Sequence, residues 1–340
     1  MRFAQSRKSA TTFLGEEMTV TTPPFDIASE LTFDRTVPRS LVHRAAVSEV
    51  FLTDAAATGE NRFVVAAQLP RGHALYSDRL DDRYDPMILV EACRQASILI
   101  SHQFYGVPKD WAFVFRKASV SVTDLAALQV GETPGRLVIR VEFEKRFHVE
   151  GYLTGAVGRY QTVLDGVPVG EFVGSLSFMP KQMFAEMRAA GRAAKNTPDQ
   201  PYTSAAVPLP PARVARRDSK NVVIASTGTE HPDTTYEVVV DNNHPSLSDH
   251  KVDHVSGMLL TEACRQASVC AVLDTHSLPE SSVGSPVRYD IQFLDFAEHE
   301  LPVYCRLIDT APTESGTGIV ASFELVQGDV VIVRSQVEVG

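Results

Sequence analysis

Two stretches of this chain are apolar on nearly every side of a helical wheel. Residues 86–104 read PMILVEACRQASILISHQF, and residues 257–273 read GMLLTEACRQASVCAVL. A helix with no polar face belongs inside a protein. Pro86 suits the first helical turn, Asp85 the N-cap and Gly106 the exit. The runs after the first helix are strand-like: AFVFRKASVSV, GRLVIRVEFEKRF, LTGAVGRYQTVLDG and VGEFVGSLSFMP. Ahead of it, VHRAAVSEVFLTD (from Val42) and NRFVVAAQLP also read as strand material, with a turn over 59–61. The second half repeats the order: NVVIAS and TYEVVV, a loop over 241–256, the helix, and strands to Gly340. The expected fold is α+β, with two tandem repeats, each a long central helix wrapped by a curved antiparallel sheet.

The repeat is explicit in the residues. EACRQAS occurs at 91–97 and again at 262–268, an offset of 171 (from 91 to 262). At the same offset His73 meets His244, Asp78 meets Asp249, Asp82 meets Asp253 and Met87 meets Met258. Leu89 meets Leu260, Asp124 meets Asp295, and Lys117 meets Arg288. The chain therefore divides into a disordered lead over 1–30, repeat 1 over 31–180, a linker over 181–214 and repeat 2 over 215–340. The linker begins as a short basic helix and ends rich in Pro and Ala. Its Lys181, Arg188, Arg192 and Lys195 read as a solvated helix face.

Charge and composition narrow the function. The net charge of −10 argues against a nucleic-acid partner. No run of 18 apolar residues exists, so no membrane-spanning helix is expected, and the N-terminus lacks the apolar core of a secretory signal. Cys93 and Cys264 sit in the apolar part of the repeated string and read as small buried hydrophobes. Cys270 and Cys305 have no ligand-like spacing, so a reduced, cytoplasmic protein is expected. No metal-ligand spacing, P-loop or dinucleotide fingerprint appears, and neither metal nor cofactor is expected.

The polar residues of the repeated string are costly to bury, which marks them as a site or a buried polar network. Glu91–Arg94 and Glu262–Arg265 are spaced to pair along one helix face, and Gln95 and Gln266 suit backbone groups of the wrapping sheet. Asp78, Asp249, Asp82 and Asp253 read as turn and cap residues, and Trp111 as core or pocket wall. Gly257, at the helix start with Met258 beside it, lets a carbonyl approach exposed backbone N–H groups at the positive end of the helix dipole. That arrangement is an oxyanion hole for a thioester. His244, His250 and His254 all precede this helix, and only His244 has a partner, His73, in repeat 1.

The Gly257-to-Glu262 spacing resembles the acyl-carrier-protein dehydratases of fatty-acid synthesis. A closer resemblance covers most of the chain. SLVHRAAVSEVFLTD (40–54), the paired EACRQAS helices, DHVSGM (253–258) and VRYDIQFLDFAE (287–298) are similar to the A-factor biosynthesis family. These are the γ-butyrolactone autoregulator synthases of actinomycetes, with tandem hotdog repeats. The resemblance implies a double hotdog fold and transfer of a β-ketoacyl group from an acyl carrier protein to a hydroxyl of dihydroxyacetone phosphate. The ester would then close to a phosphorylated butenolide.

The family's functional Glu and Arg fall on Glu262 and Arg265 and, in repeat 1, on Glu91 and Arg94. Pro86 replaces Gly257 and Arg83 replaces His254 in repeat 1, which places catalysis at the second helix. Gly257, Met258, His244, His254, Gln266 and Gln95 are the expected oxyanion and substrate contacts. A carboxylate desolvated in an apolar helix holds protons more tightly and is expected to serve as base. Arg265, Arg94, Lys117 and Arg288 are the phosphate candidates, since guanidinium grips phosphate bidentately. An acyl-thioester dehydratase or hydratase and a non-catalytic acyl-binding protein are the alternatives. Because two repeats supply the pairing that single hotdogs reach by dimerising, the chain is expected to be a monomer or a homodimer.

Overall fold

Asp85 ends an extended segment and its carboxylate accepts the Met87 amide at 2.9 Å, so the first apolar helix starts where its cap and proline direct it. In the computed structural model this helix, α1, spans Pro86–Gln103. Its counterpart, α3, spans Gly257–Thr275 and begins at the equivalent position. Between them lies α2, Lys181–Ala194. The structure describes residues 31–227, 235–275, 284–316 and 318–340; the lead expected over 1–30 lies outside them. No helix among the described residues is long and apolar enough to cross a membrane.

Repeat 1 contributes β1 (Leu52–Gly59), β2 (Arg62–Leu69), β3 (Ala112–Val122), β4 (Gly135–Val149), β5 (Tyr152–Leu164) and β6 (Val167–Met179). Repeat 2 contributes β7 (Ile224–Ser226), β8 (Thr235–Val238), β9 (Pro286–Phe293), β10 (Tyr304–Pro312), β11 (Ile319–Gln327) and β12 (Val330–Val339). Among the described residues these strands form one antiparallel sheet in the order β1-β2-β4-β5-β6-β3-β9-β12-β11-β10-β8-β7. The order reads the same from either end once repeat-2 strands are matched to repeat-1 strands. The seam is the β3–β9 pair, from Lys117↔Gln292 to Ser121↔Arg288. The sheet wraps both helices. Alternating side chains such as Leu137, Ile139, Val141 and Phe143 of β4 supply the sheet side of one continuous core.

Burial follows the apolar pattern with one exception. Every residue of α1 from Pro86 to His102 is buried except Arg94. In α3 everything from Leu259 to Leu273 is buried, Arg265 included. The strand expected to begin at Val42 is not there. Residues 39–41 and 47–49 are short 3-10 turns, His43 is left-handed with φ 51°, and β1 begins only at Leu52. The composition is strand-like, but the Ala45 and Ala46 amides bond to the Asp249 carboxylate of the other repeat at 2.7 and 2.9 Å, and no ladder forms.

Candidate functional site

The repeated string builds the same buried device twice. In repeat 1, Glu91 lies between two guanidinium groups. Arg44 donates from Nε to Oε1 at 3.0 Å, and Arg94 donates from Nε to Oε2 and from Nη2 to Oε1, each at 2.8 Å. Gln95 donates to Glu91 at 2.6 Å and to the Glu49 carbonyl at 2.7 Å, and accepts the Phe51 amide. In repeat 2, Glu262 receives Arg216 and Arg265 in the same way. Gln266 donates to Glu262 and to the Asn221 carbonyl, and accepts the Val223 amide. Both glutamines are therefore committed to protein groups and do not face a substrate.

Arg44 and Arg216 escape the 171-residue alignment because they stand 172 apart (44 to 216), as do Glu49 and Asn221. A one-residue gap in the comparison of repeats would have found them. Cross-repeat bonds hold both arginine loops. Asp249 accepts the Ala45 and Ala46 amides, and Asp78 accepts the Arg217 and Asp218 amides of the other repeat. Asp78 and Asp249 thus tie the repeats together, beyond the local turn role expected of them. His73 and His244 complete the same loops. Nδ1 of His73 accepts the Leu75 and Tyr76 amides, and Nδ1 of His244 accepts those of Ser246 and Leu247. His244 Nε2–H then donates to Asn221 Oδ1 at 2.8 Å. The paired histidines are loop braces and do not meet the cavity described next.

A cavity of about 570 Å³ lies where α1 of one repeat faces the start of α3 of the other. Of the residues expected at a site, Arg94, Gly257, Met258 and His254 line it. Glu91 lies behind Arg94, whose side chain is 15% exposed, whereas that of Arg265 is 1% exposed. Glu262 and Arg265, the pair expected to carry catalysis at the second helix, do not line this cavity. Their junction is filled. Arg216 bridges Glu262 and Asp85, both at 2.8 Å, and Arg265 donates to the Val214 carbonyl at 3.0 Å. Lys117 and Arg288 are exposed strand residues at the seam, outside the cavity; alternation leaves the neighbouring Ala118 and Tyr289 to face inward.

The helix start of α3 is open by contrast. Ser256 replaces the Asp85 cap and bonds to the Leu247 carbonyl. Among the described residues no group accepts from the Gly257 and Met258 amides, and both residues line the cavity. A Cβ at Gly257 would stand 3.4 Å from the Phe293 ring, so the glycine sets the space there. Two free amides at a helix N-terminus suit a developing oxyanion.

The histidines of the cavity are polarised differently. His254 Nδ1–H donates to Asp253 Oδ1 at 2.7 Å, and Arg188 Nε donates to Asp253 Oδ2 at 3.0 Å. That fixes the tautomer and leaves His254 Nε2 as the acceptor. His43, which the sequence reading missed, has its pKa pushed down to about 3 by burial first, then by His102, Arg94 and His250. It is a neutral ring. His102 Nδ1–H donates to the Val107 carbonyl at 2.7 Å, so its Nε2 accepts from His43 Nε2–H at 2.9 Å.

Neither glutamate is the desolvated base that was expected. Burial alone would raise the Glu91 pKa, but Arg44 and then Arg94 override it and hold it at about 2. Glu262 likewise ends below its ordinary value, with Arg216 and Arg265 outweighing burial. The physical reason is the second guanidinium in each cluster, which the local sequence did not reveal.

The basic helix α2 closes one side of the cavity through Phe184, Met187, Arg188 and Gly191. Of its expected solvated cations only Lys181 is exposed. Arg188 is buried and doubly bonded to Glu298 at 2.8 and 2.6 Å, with its guanidinium 4.5 Å from the Phe296 ring centre. Arg192 pairs with Glu298 and Glu300, and Lys195 with Asp295. Arg44, Arg116, His43 and Arg188 are basic cavity residues that sequence reasoning did not single out for the site.

Comparison with known proteins agrees with this architecture. The family model of the A-factor biosynthesis hotdog domain matches residues 25–180 and again 198–339. A 2-oxo-3-(phosphooxy)propyl 3-oxoalkanoate synthase of Streptomyces virginiae is 33% identical over 83% of this chain and 90% of its own length. A synthase of the same name from Streptomyces coelicolor is 31% identical over 79% of this chain and 81% of its own. Among solved structures, the pyran synthase domain from module nine of the sorangicin pathway aligns with a TM-score of 0.50 at 12% identity. It covers 85% of this chain and 97% of that one, a likeness of fold.

Proposed function

Because the chain belongs to the A-factor biosynthesis hotdog family, we propose that its cavity transfers a β-ketoacyl group from a thioester to the hydroxyl of dihydroxyacetone phosphate. The relatives' name describes that product: an ester of a 3-oxo acid with the free hydroxyl of dihydroxyacetone phosphate. It is a precursor of γ-butyrolactone-type signals. The donor is the thioester of an acyl carrier protein, the protein acts in the cytoplasm, and the internally paired repeats work as a monomer.

The cavity residues have separable tasks. The thioester carbonyl is placed against the Gly257 and Met258 amides, which stabilise its oxygen as charge develops. His254 Nε2 takes the proton of the attacking hydroxyl, and Asp253 supports the imidazolium that forms. The C–O bond forms, the C–S bond breaks, and the proton passes to the departing thiolate. Arg94 keeps Nη1 clear of Glu91 and grips the acceptor phosphate. Glu91 positions Arg94. The apolar walls, including Trp111, Phe113 and Ile98, take the acyl chain.

The observation that carries this reading is the meeting of Arg94 with two unpartnered amides in one cavity. The dehydratase alternative needs a well-placed histidine and a 3-hydroxyacyl substrate without a phosphate acceptor, and it leaves Arg94 in the cavity with no anion to hold. Incubation with a β-ketoacyl carrier-protein thioester, with and without dihydroxyacetone phosphate, tests it by mass spectrometry. The expected result is carrier release with a phosphorylated ester that depends on the acceptor. Release of free acid without acceptor dependence would replace the transferase with a thioesterase.

A further inference from the structure

One guanidinium in the cavity belongs to neither polar cluster. Arg44 and Arg94 share Glu91, and Arg188 is held by Asp253 and Glu298. Arg116 has no carboxylate partner among the described residues, and its side-chain bond is to Ser177 Oγ, 3.5 Å from Nε. A guanidinium stays charged at any working pH and offers five donors in one plane. Here most of those donors are unused.

A defect in the sheet sets its position. β3 and β6 slip register between Phe115 and Lys117, and Arg116 is the extra residue of that bulge. The β3–β9 pairing starts only at Lys117, so residues 112–116 keep β6 as a neighbour and diverge from β9. Both sides of that split, 111–116 and 293–297, line the cavity. Ser177 stands between Leu176 and Phe178, which both point into the core. By alternation Ser177 and the guanidinium that meets it lie on the outward side of the sheet. Arg94, on a buried helix, lies on the inward side.

We propose that Arg116 anchors a phosphate ester at the outer end of this cavity, separate from the group held by Arg94. The inference rests on the transferase reading for its ligands, which bring two phosphates. One is the monoester of the acceptor and the other is the diester that joins a pantetheine arm to its carrier. Both present paired anionic oxygens to a planar donor fork.

The test needs no turnover, so it stands apart from the activity assay. Binding is followed by calorimetry and by the fluorescence of Trp111, the single tryptophan, which lines the same stretch of wall. Two ligand pairs are compared: phosphopantetheine with pantetheine, and dihydroxyacetone phosphate with dihydroxyacetone. For the phosphopantetheine pair, Arg116→Ala is expected to erase about tenfold of the affinity that the phosphate adds, and Arg116→Lys to retain part of it. A response confined to the dihydroxyacetone phosphate pair would merge this site with the one given to Arg94 and overturns the proposal. An undiminished phosphate advantage in both pairs for Arg116→Ala, or none in the unmodified protein, overturns the proposal.

Discussion

At one junction Arg216 fills the space between Glu262 and the start of α1; at the other, Arg44 leaves that space open in front of α3. The bonds behind them match almost atom for atom, down to the left-handed backbone of His43 and Ala215 at φ 51° and 55°. Three exchanges separate the outcomes. Asp85 draws Arg216 across the helix start, where Ser256 offers Arg44 no charge. Pro86 occupies the first helical position where Gly257 leaves room. The Val214 carbonyl ties down Arg265, while Arg94 is left reaching into the cavity. A duplicated Glu–Arg pair is thus architecture in both copies, and only the first leaves a guanidinium facing the cavity.

The largest test of this contrast is thermodynamic. Arg216→Ala removes the ion-pair partner of buried Asp85 and one of the two guanidinium groups on Glu262, and is expected to cost roughly 3–5 kcal/mol of unfolding free energy in urea. Arg44→Ala should cost clearly less, because Arg44 closely pairs one carboxylate where Arg216 pairs two; equal losses would break the comparison. In kinetics, His254→Asn is expected to lower kcat by about 10²–10⁴-fold with the fold retained. An unchanged rate would move the base elsewhere.

Next, Arg94→Ala should reduce kcat/KM on the order of a hundredfold, mostly through KM for the acceptor, with a stability loss because Glu91 keeps only Arg44. Arg265→Ala should lower the denaturation midpoint. Activity loss in Arg265→Ala without destabilisation would reverse the roles of the junctions. Gly257→Ala, which sets a methyl against the Phe293 ring beside the two free amides, is expected to slow turnover about tenfold, whereas Pro86→Gly leaves the rate alone. The last test is a pH slope. Glu91 titrates at about 2 when folded against an ordinary 4.5, so its contribution is complete above 4.5 and is lost as pH falls towards 2. Stability measured across that window should decline; a flat profile would contradict the buried cluster.

Much of the scaffold was readable because its signals are local. Both apolar helices, the Asp85 cap and the boundaries of β3 follow from periodicity and capping chemistry within a few residues. Residues 42–51 misled because their amides are claimed by Asp249, about two hundred positions away. The site was half readable for the same reason. Polar groups in an apolar helix announced themselves, and Gly257 marked an accessible helix start. That Gly257 of one repeat lines the same cavity as Arg94 of the other is a cross-repeat fact. Likewise Lys117 and Arg288 recur at the right offset, but strand alternation turns both outwards.

The sealed junction also bears on symmetry. Two identical subunits related by a twofold axis must carry the same residue at both of their mutual interfaces. Any change that opens one opens the other, and any change that locks one removes both. Covalent joining lifts that constraint, since Asp85 and Ser256 occupy equivalent places but are inherited separately. One half of the molecule is then free to be optimised as a rigid brace while the other keeps its vacancy, a division of labour that an exact homodimer has no way to encode.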